Sequence, residues 1–320
     1  MIHAQLRFLV AAALTLALAP LARAQDSNIN FAIAEIEQKL RSDSLNIAHM
    51  RGSRWESDRT QRVVLQFLDS TMMMVKWAKA ASGGETFNNV PRFEVAAYEL
   101  QKLFLDEKDY VVPPTIIRVL PLEYYRTLDE KIKPTFGGKT DGVVVVLQYW
   151  LSQVTPSEVF DEARARHDDR YAFHLANANI FSHLVRHSDS NQGNFLISSD
   201  STNPRIFAVD NGVAFSSMAG DRGTEWQALR VKRVPASTVE RLKAITKEDL
   251  QRVLGILAEF EIRDGLVVAV MPTDNLDPKR GVRRNEARIQ LGLKDSEIND
   301  VYGRLQRFLQ MVERGSIKTF

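Results

Sequence analysis

Apolar and polar positions alternate along the chain in two distinct rhythms. Arg62–Leu68 and Met72–Lys79 are strand-like runs, with the turn Asp69-Ser70 between them, and together predict a β-hairpin. From Pro91, a residue favoured in a first helical turn, Phe93, Ala96, Ala97, Leu100, Leu103 and Phe104 recur at helical spacing and predict a helix to about Leu105. Val111–Pro114 and Ile116–Leu120 read as extended. The unbroken apolar run Val143–Leu147, within Gly142–Leu147, suits a strand covered on both faces. An amphipathic helix is expected over Ile29–Leu45. After Tyr149-Trp150 the rhythm turns helical, over Pro156–Arg166, Arg170–Val185, Ala236–Ala244, Lys247–Phe260 and Asp295–Glu313. Strands first and helices later imply an α+β chain of two lobes, a small β-rich N-lobe at 62–150 and a helical C-lobe at 151–320, preceded by a helix and basic loop at 25–61.

The first residues have a different purpose. Arg7 precedes the apolar run Phe8–Pro20, and Ala22-Arg23-Ala24 precedes Gln25, the order of a secretory signal peptide over residues 1–24. As a helix the run would reach only about 20 Å, short of a hydrocarbon core of about 30 Å. The expectation is therefore a periplasmic or secreted protein with no stable membrane anchor after cleavage. The chain has 42 basic and 40 acidic side chains; Arg7 and Arg23 lie in the leader, so the remainder is balanced. That balance gives no support to nucleic-acid binding. With no cysteine, neither disulfides nor thiolate chemistry is available.

Chemistry concentrates after the long central helix, in Arg186-His187-Ser188-Asp189-Ser190-Asn191-Gln192-Gly193-Asn194. The spacing is the H-x-D-x-x-x-x-N of kinase catalytic loops. A short apolar run, Ile206–Val209, then leads to Asp210-Asn211-Gly212, where kinases place a metal-binding D-F-G. Transfer of a phosphoryl group needs one carboxylate to orient the acceptor hydroxyl and accept its proton. It needs a second carboxylate and an amide oxygen to hold divalent metal on the phosphates. Asp189 suits the first role, Asp210 and Asn194 the second. A cation for the phosphates is Lys76, in the apolar strand Met72–Trp77, with Glu94 as its partner; Lys79 and Glu99 are the fallback pair. Gln148-Tyr149-Trp150 would form the hinge beneath a nucleotide base.

Phe93–Leu100, followed by Val111-Val112-Pro113-Pro114, resembles the helix and following strand of the secretory-pathway kinases that phosphorylate casein-like and glycan substrates. Lys76-Trp77-Ala78-Lys79 resembles their paired-lysine strand. Asp189 to Asn194 and Asp210-Asn211-Gly212 resemble both that family and the phosphatidylinositol kinases. The resemblance spans about Arg62–Phe215. It implies an atypical protein-kinase fold using ATP or another nucleotide with Mg²⁺ or Mn²⁺: Lys76 on phosphate, Glu94 paired to it, Asp189 as base, Asp210 on metal. The family's Asp-Arg-His is here Asp189-Ser190-Asn191, no G-x-G-x-x-G precedes Lys76, and the disulfides are absent.

Three functions fit these residues. The first is an exported phosphotransferase acting on a hydroxyl of a protein, glycan or small molecule. The others are a kinase-shaped binding module without turnover and a nucleotidyl transferase. Among other features, His183 and His187 stand at i, i+4 without a third zinc ligand. Lys279, Arg280, Arg283, Arg284 and Arg288 read as a solvated basic face, or else as a contact for phosphate or an acidic substrate.

Overall fold

The computed structural model describes residues 26–52, 60–87, 89–138, 140–215 and 223–320. The expected leader at 1–24 lies outside them. The chain begins with α1 (Ile33–Arg41), then β1 (Leu45–Arg51), β2 (Thr60–Phe67), β3 (Met72–Lys79), α2 (Pro91–Gln101), β4 (Thr115–Pro121), α3 (Leu122–Arg126) and β5 (Gly142–Tyr149). Their strands form one antiparallel sheet in the order β1-β2-β3-β5-β4. The sheet starts at Leu45, ahead of the expected lobe boundary at 62. The helix expected over Ile29–Leu45 is correspondingly shorter, because Leu45 onward pairs with β2.

The run Val143–Leu147 is buried on both faces. Val143, Val145 and Leu147 meet Val75, Trp77, Ile36 and Leu40 on one side. Val144 and Val146 meet Val95 of α2 and, unexpectedly, Phe260, Ile289 and Leu291 on the other. A continuous apolar strand is the sequence record of that double cover.

The second half contains β6 (Val154–Thr155), α4 (Arg164–His167), α5 (Asp169–Val185), β7 (Phe195–Ser198), β8 (Ile206–Ala208), β9 (Arg233–Val234), α6 (Ala236–Lys243), α7 (Lys247–Leu254), β10 (Ala258–Arg263), β11 (Leu266–Val270), β12 (Val282–Arg284), β13 (Arg288–Leu291), α8 (Asp295–Glu313) and β14 (Lys318–Thr319). Helix α5 is its buried axis, with Tyr171, Leu175, Ala178, Phe181 and Leu184 in the largest core. That core also takes Phe93, Ala96, Ala97, Tyr98 and Leu100, so α2 belongs to both lobes.

Two expected helices are corrected. Lys247–Phe260 breaks after Leu254, because the Gly255 carbonyl receives Arg283 and packs against Gly292, where a Cβ would collide with it. The chain then enters β10, part of a four-stranded sheet β11-β10-β13-β12 absent from the sequence reading. Of Pro156–Arg166, only the end is helical. The Tyr171 hydroxyl takes up this segment's backbone instead, accepting from Asp161 N–H (2.7 Å) and donating to the Val159 carbonyl (2.9 Å).

Within the basic run Lys279, Arg280 and Arg284 are exposed, and Arg283 is the member that is corrected. Arg283 is 1% exposed and donates to four carbonyls, those of Asp277 (2.8 Å), Arg280 (2.9 Å), Leu293 (2.7 Å) and Gly255. It fastens the new sheet to its loops and is not a solvated charge.

His174 of α5 makes the fold sensitive to acid. Burial, reinforced by the charge of Arg205, pushes its imidazole down to about 4 from the ordinary 6.5. Between those values the unfolded chain binds a proton that the folded chain refuses. The stabilisation is complete above about pH 6.5 and is lost as pH falls through about 4, a change on the order of 3 kcal/mol. Chemical denaturation of His174→Gln should show a shallower fall in stability from about pH 7 to about pH 4. An unchanged acid limb would count against this account.

Candidate active site

Strand alternation places Lys76 on the face of the sheet that turns toward α2. Its cross-strand partners Arg62 and Gln148 share that face. Pro91 opens α2 so that Glu94 falls in its first turn, over the strand. Lys76 Nζ donates to Glu94 Oε1 (2.7 Å) and to Asp210 Oδ1 (2.9 Å). Lys76 is 9% exposed. Burial opposes its charge, but the carboxylates of Asp210 and Glu94 outweigh it, and its pKa stands above the ordinary lysine value. Burial pushes the Glu94 carboxyl up, with the lysine pulling the other way.

Asp210 follows β8 in the left-handed region, at φ 58°, a conformation that aspartate tolerates better than most side chains. The turn is held by Glu94, whose Oε2 accepts from Asn211 N–H (3.1 Å). A Cβ at Gly212 would stand 3.4 Å from Glu94 Oε1, so the glutamate lies directly against this turn. Glu94 thus fixes the lysine with one oxygen and the Asp210 turn with the other. The Asp210 side chain is 51% exposed to the cleft.

The catalytic-type loop leaves α5 through Arg186, also left-handed, at φ 52°. Ser188 N–H donates to the Val213 carbonyl (3.0 Å) and Val209 N–H to the Asn194 carbonyl (2.8 Å), binding this loop to the Asp210 loop from both ends. Asn194 Nδ2 donates to the Asp189 carbonyl (3.1 Å), which orients the amide. His187 lies between the loops, its Nε2 3.4 Å from the Val209 carbonyl. Burial holds its pKa down, although Asp210 and Asp189 pull it upward and Lys76 pushes with burial, so all three lie within electrostatic reach of one ring.

The structure therefore brings Lys76, Glu94, Asp189, Asn194 and Asp210 together. The fallback pair separates: Lys79 bonds Asp129 (3.1 Å) and Glu99 bonds Lys102 (2.9 Å). Gln148 is buried, donating to Thr115 Oγ1 (2.9 Å). The Tyr149 side chain is a correction. One residue further along a strand it points to the opposite face, where it meets Phe31 and accepts from Asn30 N–H (3.2 Å). His183, whose Nδ1 contacts the Gln227 carbonyl (2.7 Å), gains no third zinc ligand alongside His187. Among the described residues no group of three or more His, Cys, Asp or Glu is placed to hold a metal.

One part of the site went unread. Met72 and Met74 lie exposed on the Lys76 face, with Val64 opposite Met74. They form an apolar ceiling beside the lysine, extended by Trp150 with the Arg62 guanidinium 5.2 Å from its ring. The signal was the alternation in Met72-Met73-Met74, whose outer residues share a face that α2 does not cover.

The chain matches the solved structure of hydra Fam20 with sugar over 88% of each chain, with a TM-score of 0.51 and 14% identity. The fold is Fam20-like. No protein-family model matches the chain, and no curated protein does. The match agrees with the α+β architecture expected from the sequence, with the strands of one large sheet in the first half and most helices in the second.

Proposed function

We propose that the protein is an exported, metal- and nucleotide-dependent phosphotransferase acting on a hydroxyl of a protein, glycan or small molecule. The observation carrying this reading is the buried Lys76 shared between Glu94 and Asp210. A lysine is costly to bury, and two carboxylates hold it at the mouth of a cleft with an apolar ceiling. Nucleotide phosphates would reach the ammonium there while the base lies against Met74 and Val64. Asp210 and Asn194 supply two oxygen ligands. That small set suits Mg²⁺ or Mn²⁺, which take their remaining ligands from phosphates and water. A bound metal would neutralise charge on the transferring group. Asp189 would orient the acceptor hydroxyl and take its proton.

One observation favours the module without turnover: Asp189 is 1% exposed, so an acceptor reaches it only if neighbouring chain moves. Mass spectrometry after incubation with ATP and Mn²⁺ separates the readings. Gain of a phosphoryl mass, on the protein or on a hydroxyl acceptor, is expected. Gain of a nucleotidyl mass would establish the nucleotidyl transferase, and nucleotide binding with no transfer the module.

Export is tested separately. Protein recovered from the cell envelope should begin at Gln25 on N-terminal sequencing. An intact Met1 form in the cytoplasm would overturn it.

A further inference from the structure

On the C-lobe, away from the Lys76 cleft, a cavity of about 330 Å³ opens between α5, the approach to β9, and β14. Its floor is apolar, with Phe160, Leu175 and Val231. Its rim is cationic. Arg166 and Arg233 have acidic partners, Glu162 and Asp169. Arg230, Lys232 and Lys318, the other cations of the rim, have no carboxylate within salt-bridge distance among the described residues. Exposed positive charge around an apolar hollow gives the cavity a preference for a ligand that is both acidic and apolar.

The position of Arg230 is set in advance. Asn179, buried in α5, accepts from Arg230 N–H (2.8 Å) and Val231 N–H (3.2 Å) and donates to the Ala228 carbonyl (2.9 Å). The Arg230 guanidinium then lies 3.6 Å from the centre of the Phe160 ring. From there aromatic contacts run inward: Phe160 on Trp226 at 5.7 Å, Trp226 stacked on Phe195 at 4.2 Å, and Phe195 on His187 at 5.0 Å. The same segment touches the catalytic-type loop directly, because Trp226 N–H donates to Ser190 Oγ (3.1 Å) and Gln227 Nε2 to Ser188 Oγ (3.1 Å).

We infer that this cavity docks an extended acidic segment of a partner protein, with an apolar side chain on the floor and carboxylates on Arg230, Lys232 and Lys318. The cations come from two chain segments distant in sequence and stand around the rim. A free phosphate calls for donors converging on one point. An acidic polysaccharide has charge but no apolar side chain for the floor. A polypeptide alternating acidic and apolar residues satisfies both parts. Binding stands independently of the nucleotide site; only the use of the cavity to hold an acceptor protein near Asp189 rests on the phosphotransferase reading.

The test needs no nucleotide. A fluorescein-labelled peptide of Glu and Asp around a central Leu-Phe is titrated with the purified chain, and anisotropy is followed at low and high salt. Binding should weaken with salt and vanish for the Gln/Asn version of the peptide. Lys232→Glu with Lys318→Glu, both exposed, should lose at least about tenfold in affinity. Lys131→Glu with Lys133→Glu changes net charge equally in the other lobe and should bind within about twofold of wild type. The inference is overturned by no binding to wild type, or by equal losses in the two double variants. Displacement of the peptide by inorganic phosphate or a uronate oligosaccharide would also overturn it.

Discussion

Asp189→Ala is expected to lower turnover by about 10²–10⁴-fold, the usual effect of losing a general base, while metal-nucleotide affinity stays within about twofold of wild type. The reason is positional. Asp189 belongs to the loop that ends α5, whereas Lys76 and Glu94 come from the sheet and α2, with the lysine shared between Glu94 and Asp210. Asp210→Ala should behave differently, weakening nucleotide binding and turnover together, because the carboxylate that bonds the lysine would, on the phosphotransferase reading, also hold the metal. Asp210→Asn keeps the shape and removes the charge, and should reduce the gain in nucleotide affinity brought by Mn²⁺. Isothermal titration with and without metal, alongside steady-state transfer to a hydroxyl acceptor, reads all three. Unchanged turnover in Asp189→Ala would remove the base from the mechanism. Equal metal-dependence in Asp210→Asn would remove the metal ligand.

The second large effect is on stability. Arg92, next to the first residue of α2, is almost completely buried and grips Glu297 at the start of α8 with two parallel bonds, of 2.5 and 3.0 Å. Its Nε also donates to Glu85 (2.6 Å). Glu297 in turn accepts from Lys294 N–H (2.8 Å), closing the cap of α8. Removing one partner of a buried pair leaves an uncompensated charge, which typically costs about 3–5 kcal/mol. Arg92→Leu should therefore be destabilised by that amount in urea unfolding. The double variant Arg92→Leu with Glu297→Leu should recover much of the loss, since apolar side chains of similar volume often replace a buried pair without penalty. A double variant as unstable as the sum of the singles would show that the two residues act independently.

What the sequence disclosed and what it hid follow from range. Lys76 and Glu94 were legible because a lysine interrupts an apolar strand and a proline sets the phase of the next helix, both local signals. That the loops of Asp189, Asn194 and Asp210 meet was legible because their spacing matches a known loop pattern. The placing of Tyr149 on the opposite, buried face required only the two-residue strand period counted from Lys76 through its partner Gln148. The Arg92–Glu297 pair, whose members stand 205 positions apart, leaves no trace in a local pattern. The sheet at 258–291 was hidden for a different reason. In Ala258-Glu259-Phe260-Glu261-Ile262 apolar and acidic residues alternate as in a strand, but this stretch directly follows a good helix. The break depends on Gly255 and Gly292 meeting far apart in sequence. Arg283 read as solvated charge because a sequence does not show the four carbonyls waiting for it.

The way α2 is anchored has a consequence for small molecules aimed at the cleft. Its apolar residues are shared with the large core, its second residue is locked to α8, and Glu94 holds the Asp210 turn as well as the lysine. Swinging the helix outward would break all three attachments at once. Compounds that gain selectivity by occupying the space behind a displaced helix therefore have no ready vacancy to enter. On the phosphotransferase reading, chemistry directed at this protein would be better matched to the shape already present, with a flat ring against Met74 and an anionic arm reaching Lys76.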